Sequence, residues 1–267
     1  MSLIDSVYMK FNNRPFTKAY SLYKKFNITQ TLKSQSFDPK KVQNGYGLGL
    51  DERIIEYPWL FSRLPSTEGR LLDAGSVLNF DYILSHQALL KKKIFISTLA
   101  PEKKSFWRQS VSYVYEDMRD ICYKDDFFDW VVCLSVIEHI GLDNTKFYTN
   151  NLAKNEQALE SYLVVIRELH RVLKPGGVLY LSIPFGRHRN YGWLQTFDGI
   201  MVDAILSTFA PASYSEHHFR ADPDGWKVSS RTESADCEYF DFHDRAREYH
   251  KTAPIAAEGV VCLELTK

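Results

Sequence analysis

Only four cysteines occur in the 267 residues, Cys122, Cys133, Cys237 and Cys262, and no two form a CxxC pair. That scarcity argues against a disulfide framework and a cysteine-built zinc site. The four lie mostly in apolar runs and read as buried free thiols suited to a reducing compartment. No run approaches the roughly eighteen apolar residues of a membrane-spanning helix. Polar Asn12, Asn13 and Arg14 occupy the stretch where a signal peptide needs an apolar core. The expectation is a cytoplasmic protein with no integral membrane segment. Net charge is also lacking, since 33 basic side chains balance 33 acidic ones. Without a global field to gather phosphates, nucleic acid is not expected as a partner. There is no internal repeat, no low-complexity tract and no GxGxxG, so a nicotinamide- or flavin-dependent oxidoreductase is disfavoured.

What is present is enough apolar material for a sizeable core: 45% hydrophobic residues and 14% aromatic ones. The charge is unevenly spread. Residues 1–45 hold eight Lys or Arg against Asp5 and Asp38, a local surplus of six that the remainder offsets. Val7, Phe11, Tyr20, Tyr23, Phe26 and Ile28 interleave these charges. Residues 1–45 therefore read as a basic helical arm and linker. Its aromatics either pack on the chain's own domain or meet a partner or membrane surface peripherally. Gln43 to Gly49, with three glycines, reads as a flexible linker. Glu52 to Phe61 either fills the core through Ile55, Trp59 and Leu60 or lies across a site mouth.

Further on, short apolar strands alternate with helix-length segments. Strands are expected at Arg70–Gly75, Lys93–Thr98, Val111–Tyr115, Asp129–Leu134, Val178–Ile183 and Val260–Leu265, and a strand and turn at Tyr214–Trp226. Asp81–Lys91 is a helix candidate. Leu159, Tyr162, Leu163, Ile166, Leu169, Val172 and Leu173 recur at steps of three and four, predicting a helix of about five turns ended by Lys174-Pro175-Gly176-Gly177. The fold class is α/β: a Rossmann-like, doubly wound, mostly parallel sheet with helices on both faces, plus the N-terminal arm. Residues 46–267 form the domain, with insertions at about 142–158 and 186–250 that would shape an acceptor site.

In such a sheet the ligand lies beyond the carboxyl ends of the strands. The first strand ends Asp73-Ala74-Gly75-Ser76, a turn that admits close backbone approach and serves equally as a plain cap. The third is followed by Glu116-Asp117-Met118, where an acid could accept from an amine or simply be solvated. The fourth runs into Ser135-Val136-Ile137-Glu138-His139, pairing an acid with a histidine where a ligand should sit. After the fifth come Arg187, His188, Arg189, Tyr191, Trp193 and Asp198, groups that suit an anionic or sugar-bearing molecule. His217 and His218 fall on opposite faces of a strand, so no two-histidine metal site is expected there.

Four segments occur in one order: Leu71–Gly75, Asp117–Ile121, Phe128–Ile140 with its Phe-Asp-x-Val and Glu-His, and Glu168–Gly177 with Leu-Lys-Pro-Gly-Gly. Over about residues 68–186 the series resembles the class I S-adenosylmethionine-dependent methyltransferases. The resemblance implies S-adenosylmethionine as cofactor. It places Asp73, Ala74, Gly75 and Ser76 at the methionine end, Thr98 at the ribose, Asp117 and the Met118 amide at the adenine, and Ser135 and Glu138 near the sulfonium. Val77 and Asn79 stand where further glycines are common, and Thr98 where an acid is common. A hydroxyl cannot reproduce a carboxylate's bidentate grip, and Asn79 is a candidate for part of the missing contact. Gly192–Asp198 with Gly225-Trp226 looks like methyltransferases associated with polysaccharide assembly. The implied activity is methyl transfer to an oxygen or nitrogen of a small-molecule or sugar-containing acceptor, with His139 the first candidate base and His188 and Asp198 behind it. The alternative is an inactive methyltransferase-like scaffold that binds a partner protein.

Overall fold

The computed structural model describes residues 16–149, 151–241 and 256–267. Val7 and Phe11 of the basic arm, and the end of the 186–250 insertion from residue 242, lie outside the described residues. The strands are β1 (Gly69–Ala74), β2 (Lys92–Thr98), β3 (Val111–Tyr115), β4 (Phe128–Leu134), β5 (Leu173–Pro184), β6 (Arg189–Asn190), β7 (Gln195–Thr196), β8 (Ser213–Asp222), β9 (Gly225–Ser229) and β10 (Gly259–Thr266). Eight of them form one sheet in the order β3-β2-β1-β4-β5-β10-β8-β9, while β6 and β7 make a separate ribbon. The pairings β1–β2, β1–β4, β2–β3 and β4–β5 are parallel, and β8–β9 is antiparallel. This is the expected Rossmann-like, mostly parallel α/β fold. Strand order reverses at β1, whose neighbours are β2 and β4, so the crevice of such sheets opens above the carboxyl ends of β1 and β4. The carboxyl halves of both strands are buried residue after residue, which is why they read as unbroken apolar runs.

The helices are α1 (Lys18–Ser34), α2 (Arg53–Arg63), α3 (Asp81–Leu84), α4 (Thr145–Tyr148), α5 (Tyr162–Val172) and α6 (Gly199–Phe209). The chain divides into two compact units. One comprises residues up to Leu64 with Pro184–Arg187 and His217–Val261; the other comprises Pro65–Ile183, His188–Glu216 and Cys262–Lys267. Among the described residues no helix is long and apolar enough to cross a membrane.

In the first unit, α1 starts on Thr17, whose hydroxyl accepts from the Tyr20 amide, and buries Tyr20, Tyr23, Ile28 and Leu32. It packs on α2, where the Asp51 amide donates to the Tyr20 hydroxyl at 2.9 Å and Lys24 pairs with Asp51 at 2.6 Å. Ile55, Trp59 and Leu60 of α2 are fully buried, the core-filling role of the two considered. The 43–49 stretch is turns held in place rather than a free linker. The Tyr46 hydroxyl donates to the Ile54 carbonyl at 2.7 Å and its own carbonyl accepts from the Trp226 amide at 2.8 Å. His217 lies against Trp59 and His218 against Phe185, as expected of residues on opposite faces of β8.

In the second unit two helix expectations are corrected. The candidate at Asp81–Lys91 is helical only over α3. Polar Ser85-His86-Gln87 offers no apolar face, and the His86 ring accepts from the Ala88 amide instead of allowing the helix to continue. The helix predicted at five turns is α5, of 11 residues; Leu159 precedes it and Leu173 already belongs to β5. Lys174-Pro175-Gly176-Gly177 is a bulge inside β5, since Leu173 pairs with Phe128 and the next register is Val178 with Trp130. Proline ends the helix. Lys174 then pairs with Asp129, and the Gly176 amide donates to the Lys267 carbonyl. Three cysteines are buried, as their apolar context suggests, but Cys122 is exposed.

Candidate functional site

Asp73 to Ser76, Thr98, Asp117, Met118, Ser135, Glu138, His139, His188 and Asp198 lie in the second unit, whereas Arg187 belongs to the first. β1 delivers Asp73 to the head of the first turn, fully buried, where its two oxygens accept from the Val77 amide at 3.0 Å and the Leu78 amide at 2.8 Å. The acid thus closes the turn that the usual additional glycines would otherwise shape. Gly75 has φ +110°, and a Cβ there would sit 2.5 Å from Val136, so the first turn and the loop after β4 touch through a glycine. Ser76 follows at φ +62°, an unfavourable left-handed conformation for a side-chain-bearing residue. Its hydroxyl is buried with no hydrogen-bond partner among the described residues. Ala74, between them, is fully buried.

Beside this turn, Ser135 at the end of β4 is also left-handed, at φ +44°, with its amide held by the Ser182 carbonyl. Its backbone leads into a 3-10 turn, Ile137–His139. Glu138 is buried and its Oε1 lies 3.9 Å from His139 Nε2. His139 Nδ1 is 3.0 Å from the Trp193 carbonyl. A carbonyl only accepts, so Nδ1 carries a proton and Nε2 is the ring nitrogen on the Glu138 side. The imidazole and the Trp193 ring lie 5.2 Å apart, and Phe147 extends the aromatic wall 5.6 Å beyond.

At the other end, β3 is followed by Asp117 and the buried Met118. Arg119 grips the Asp117 carboxylate through its backbone amide, Nε and Nη2, at 2.6 to 3.1 Å. These bonds hold the carboxyl below the usual carboxylate range, against the opposing effect of burial. The loop bearing Asp117 is anchored by Glu168, which accepts from the Ile121 amide, and by Arg171, which donates to the Ile121 and Tyr123 carbonyls. Thr98, at the end of β2, accepts the Glu116 amide through its carbonyl. The buried Glu116 Oε1 has no hydrogen-bond partner among the described residues. Asn79 is already engaged by the chain's own groups. Its amide donates to the Lys104 carbonyl and its oxygen accepts from the Tyr113 hydroxyl, spending both ends on the segment after β2.

A groove of about 920 Å³ runs between the segment before α5, the first turns of α5, the β6–β7 ribbon and the start of α6. His188, Gln195, Asp198, Glu160 and Arg167 line it. His188 Nδ1 is 2.8 Å from the Thr196 carbonyl, so its free ring nitrogen is Nε2. Fully buried Gln195 donates to the Leu159 carbonyl at 2.7 Å and leaves its own Oε1 without a partner. Asp198 caps α6 through the Met201 amide. His188 and Asp198 therefore share the groove, whereas His139 belongs to the turn beside Glu138. Sequence reasoning singled out neither Gln195 nor Arg119 as a functional residue, nor the anchoring roles of Glu168 and Arg171. The one advance signal was that Glu168 and Arg171 precede Leu-Lys-Pro-Gly-Gly within the recognised motif.

Residues 91–181 match the family model of a methyltransferase domain. The matched segment spans β2 to most of β5 and includes Thr98, Asp117, Met118, Ser135, Glu138 and His139, while the first turn precedes it. Among solved structures, the chain is similar to a Burkholderia thailandensis 1,6-didemethyltoxoflavin-N1-methyltransferase, at 13% identity over 80% of this chain and 76% of that one, with a TM-score of 0.47. It is also similar to a Pyrococcus horikoshii OT3 protein, at 11% identity over 81% and 90%, with a TM-score of 0.45. A search of curated proteins found no match.

Proposed function

We propose that the protein transfers a methyl group from S-adenosylmethionine to an oxygen or nitrogen of a small, sugar-containing acceptor, of the kind used in glycan or polysaccharide assembly. The observation that carries the cofactor assignment is the conjunction at the reversal of strand order. Two non-glycine residues, Ser76 and Ser135, are left-handed at adjacent strand ends, and the buried Ser76 hydroxyl lacks a partner. Strained backbone and orphaned polar atoms collect where a ligand completes the structure. Ala74–Ser76 fit the methionine end, Thr98 the ribose hydroxyls, Asp117 and the Met118 amide the adenine, and Ser135 with Glu138 the region of the sulfonium. The scaffold alternative, which rested on the altered glycine loop, is not favoured, because Asp73 closes that turn without the extra glycines.

When bound, the cofactor supplies an electrophilic methyl group. The chain's part is to hold the acceptor in line and take its proton. His139 Nε2, with its ring oriented by the Trp193 carbonyl, suits the second task, and Glu138 would stabilise the imidazolium so formed. The groove offers hydrogen-bond acceptors, Gln195 Oε1, His188 Nε2 and Asp198, that suit hydroxyl groups, and Trp193 with Phe147 offers faces on which a sugar ring could stack.

Titration calorimetry with S-adenosylhomocysteine tests the cofactor assignment: micromolar affinity is expected, and no heat at millimolar ligand would remove it. Transfer of labelled methyl groups to a panel of sugar and non-sugar acceptors tests the second part. Asp117→Ala should weaken S-adenosylhomocysteine binding about tenfold or more, the effect of losing one charge-assisted hydrogen bond of about 1.5–3 kcal/mol. Because Arg119 holds the carboxyl below its ordinary value in the ligand-free folded protein, Asp117 stays ionised at neutral and mildly acid pH. The part of the affinity lost in Asp117→Ala should therefore stay level from about pH 8 to pH 5; a decline centred on an ordinary carboxylate pKa, about 4, would contradict the Arg119 grip.

A further inference from the structure

We infer that Arg119 and Glu156 are positioning residues of the cofactor pocket: they fix the Asp117 carboxylate for one adenine amine and tie the 151–161 segment to that end of the site. The inference rests on the methyl-transfer reading and deepens it. The Arg119 guanidinium lies between two carboxylates. One edge, Nε and Nη2, faces Asp117; the other reaches Glu156, from Nη1 to Oε2 at 2.6 Å and from Nη2 to Oε1 at 2.8 Å. Four of its five N–H groups are spent, so the planar fork cannot turn without breaking a bond to one acid or the other.

Each Asp117 oxygen accepts two bonds from Arg119, with Nε divided between the two oxygens at 3.0 and 3.1 Å. A further donor such as an adenine amine would be admitted where one half of that divided Nε bond yields, so the carboxylate can receive the amine only while Arg119 holds its present orientation. Removing Glu156 would free the guanidinium to reorient and Asp117 to change rotamer. An isolated surface ion pair contributes little, but a fork bidentate on both sides, joining three half-buried charges, is the kind of network that fixes geometry.

Glu156 also ties two regions together. Two residues on, the Ala158 amide donates to the Gly141 carbonyl at 2.7 Å, and Gln195 holds the Leu159 carbonyl at 2.7 Å. Gly141 has φ +76°, and a Cβ there would lie 2.2 Å from the Ala158 oxygen, so this approach requires glycine. One short segment is thus pinned beside the His139 turn at Ala158 and beside Asp117 at Glu156. Order at the adenine end is thereby linked to the end where the methyl group would be transferred.

The test compares S-adenosylhomocysteine with S-inosylhomocysteine, in which a carbonyl oxygen replaces the adenine amine, by calorimetry on the full chain. The wild type should prefer the adenosyl ligand by about tenfold or more. Arg119→Ala should bring that ratio toward one. Arg119→Lys should not restore it, because an ammonium lacks the fork. Glu156→Gln, a conservative change, should reduce the ratio about threefold and speed amide exchange over 151–161 in the ligand-free protein. An adenosyl preference that survives in both Arg119→Ala and Glu156→Gln would overturn the inference, even if overall affinity fell, since a merely structural role lowers both ligands equally. A wild type that binds neither nucleoside would remove the methyl-transfer reading and this inference together, an outcome distinct from wild-type discrimination that the variants leave intact.

Discussion

His139→Ala is expected to lower kcat by about 10² to 10⁴ while leaving S-adenosylhomocysteine affinity nearly unchanged. The expectation comes from atoms rather than from position alone. Nδ1 is committed to the Trp193 carbonyl, so the tautomer is set and Nε2 is the only ring nitrogen able to accept a proton. Glu138, buried and 3.9 Å from Nε2, is placed to stabilise the cation. His139→Gln separates chemistry from packing, because it keeps hydrogen-bonding capacity without a titrating group; its kcat should be as low as that of the alanine variant. Preserved turnover in either variant, with loss of melting temperature or cofactor affinity, would mark a structural histidine. The search for the base would then move to His188 and Asp198 in the groove.

Gly75→Ala should cost about 2–5 kcal/mol of stability and abolish measurable binding of S-adenosylhomocysteine. Two penalties combine. Alanine is disfavoured at φ +110°, and its Cβ would lie 2.5 and 2.7 Å from the two Val136 methyl groups. Removing those methyls with Val136→Ala leaves the nearest remaining Val136 atom, its Cβ, at 3.1 Å. The double variant should therefore recover the overpacking part and keep the backbone part. Chemical denaturation of the four chains measures both. A Gly75→Ala protein as stable as the wild type would show that the first turn and the β4 loop do not meet as described.

How legible the site was depended on the range of the interactions that build it. Val131 to Leu134, buried on both faces of the sheet, announced β4 by an unbroken apolar run, and the Gly75 turn announced itself by local chemistry. Asn79 shows the opposite. Its amide looked available for a ligand because neither partner, the Lys104 carbonyl 25 residues away or the Tyr113 hydroxyl 34 away, leaves a trace near it in sequence. Leu-Lys-Pro-Gly-Gly was recognisable as a motif but misread as a helix stop alone. That it bulges within β5 depends on Asp129 pairing with Lys174 and on the Lys267 carbonyl receiving the Gly176 amide.

The sequence by itself determined the alternation of strands and helices, the parallel sheet that follows from it, and the strand ends at which chemistry could occur. These rest on hydrophobic periodicity and on proline and glycine, which act over a few residues. Only the tertiary structure decided which polar groups are already spent and which remain open. Asp73 accepts two amides of its own turn, His139 is held in one tautomer by Trp193 54 residues away, and Arg119 is shared with Glu156 37 residues away. A side chain's capacity to bind depends on the partners that have already claimed its donors and lone pairs, and chain folding brings those partners from distances that no local pattern encodes.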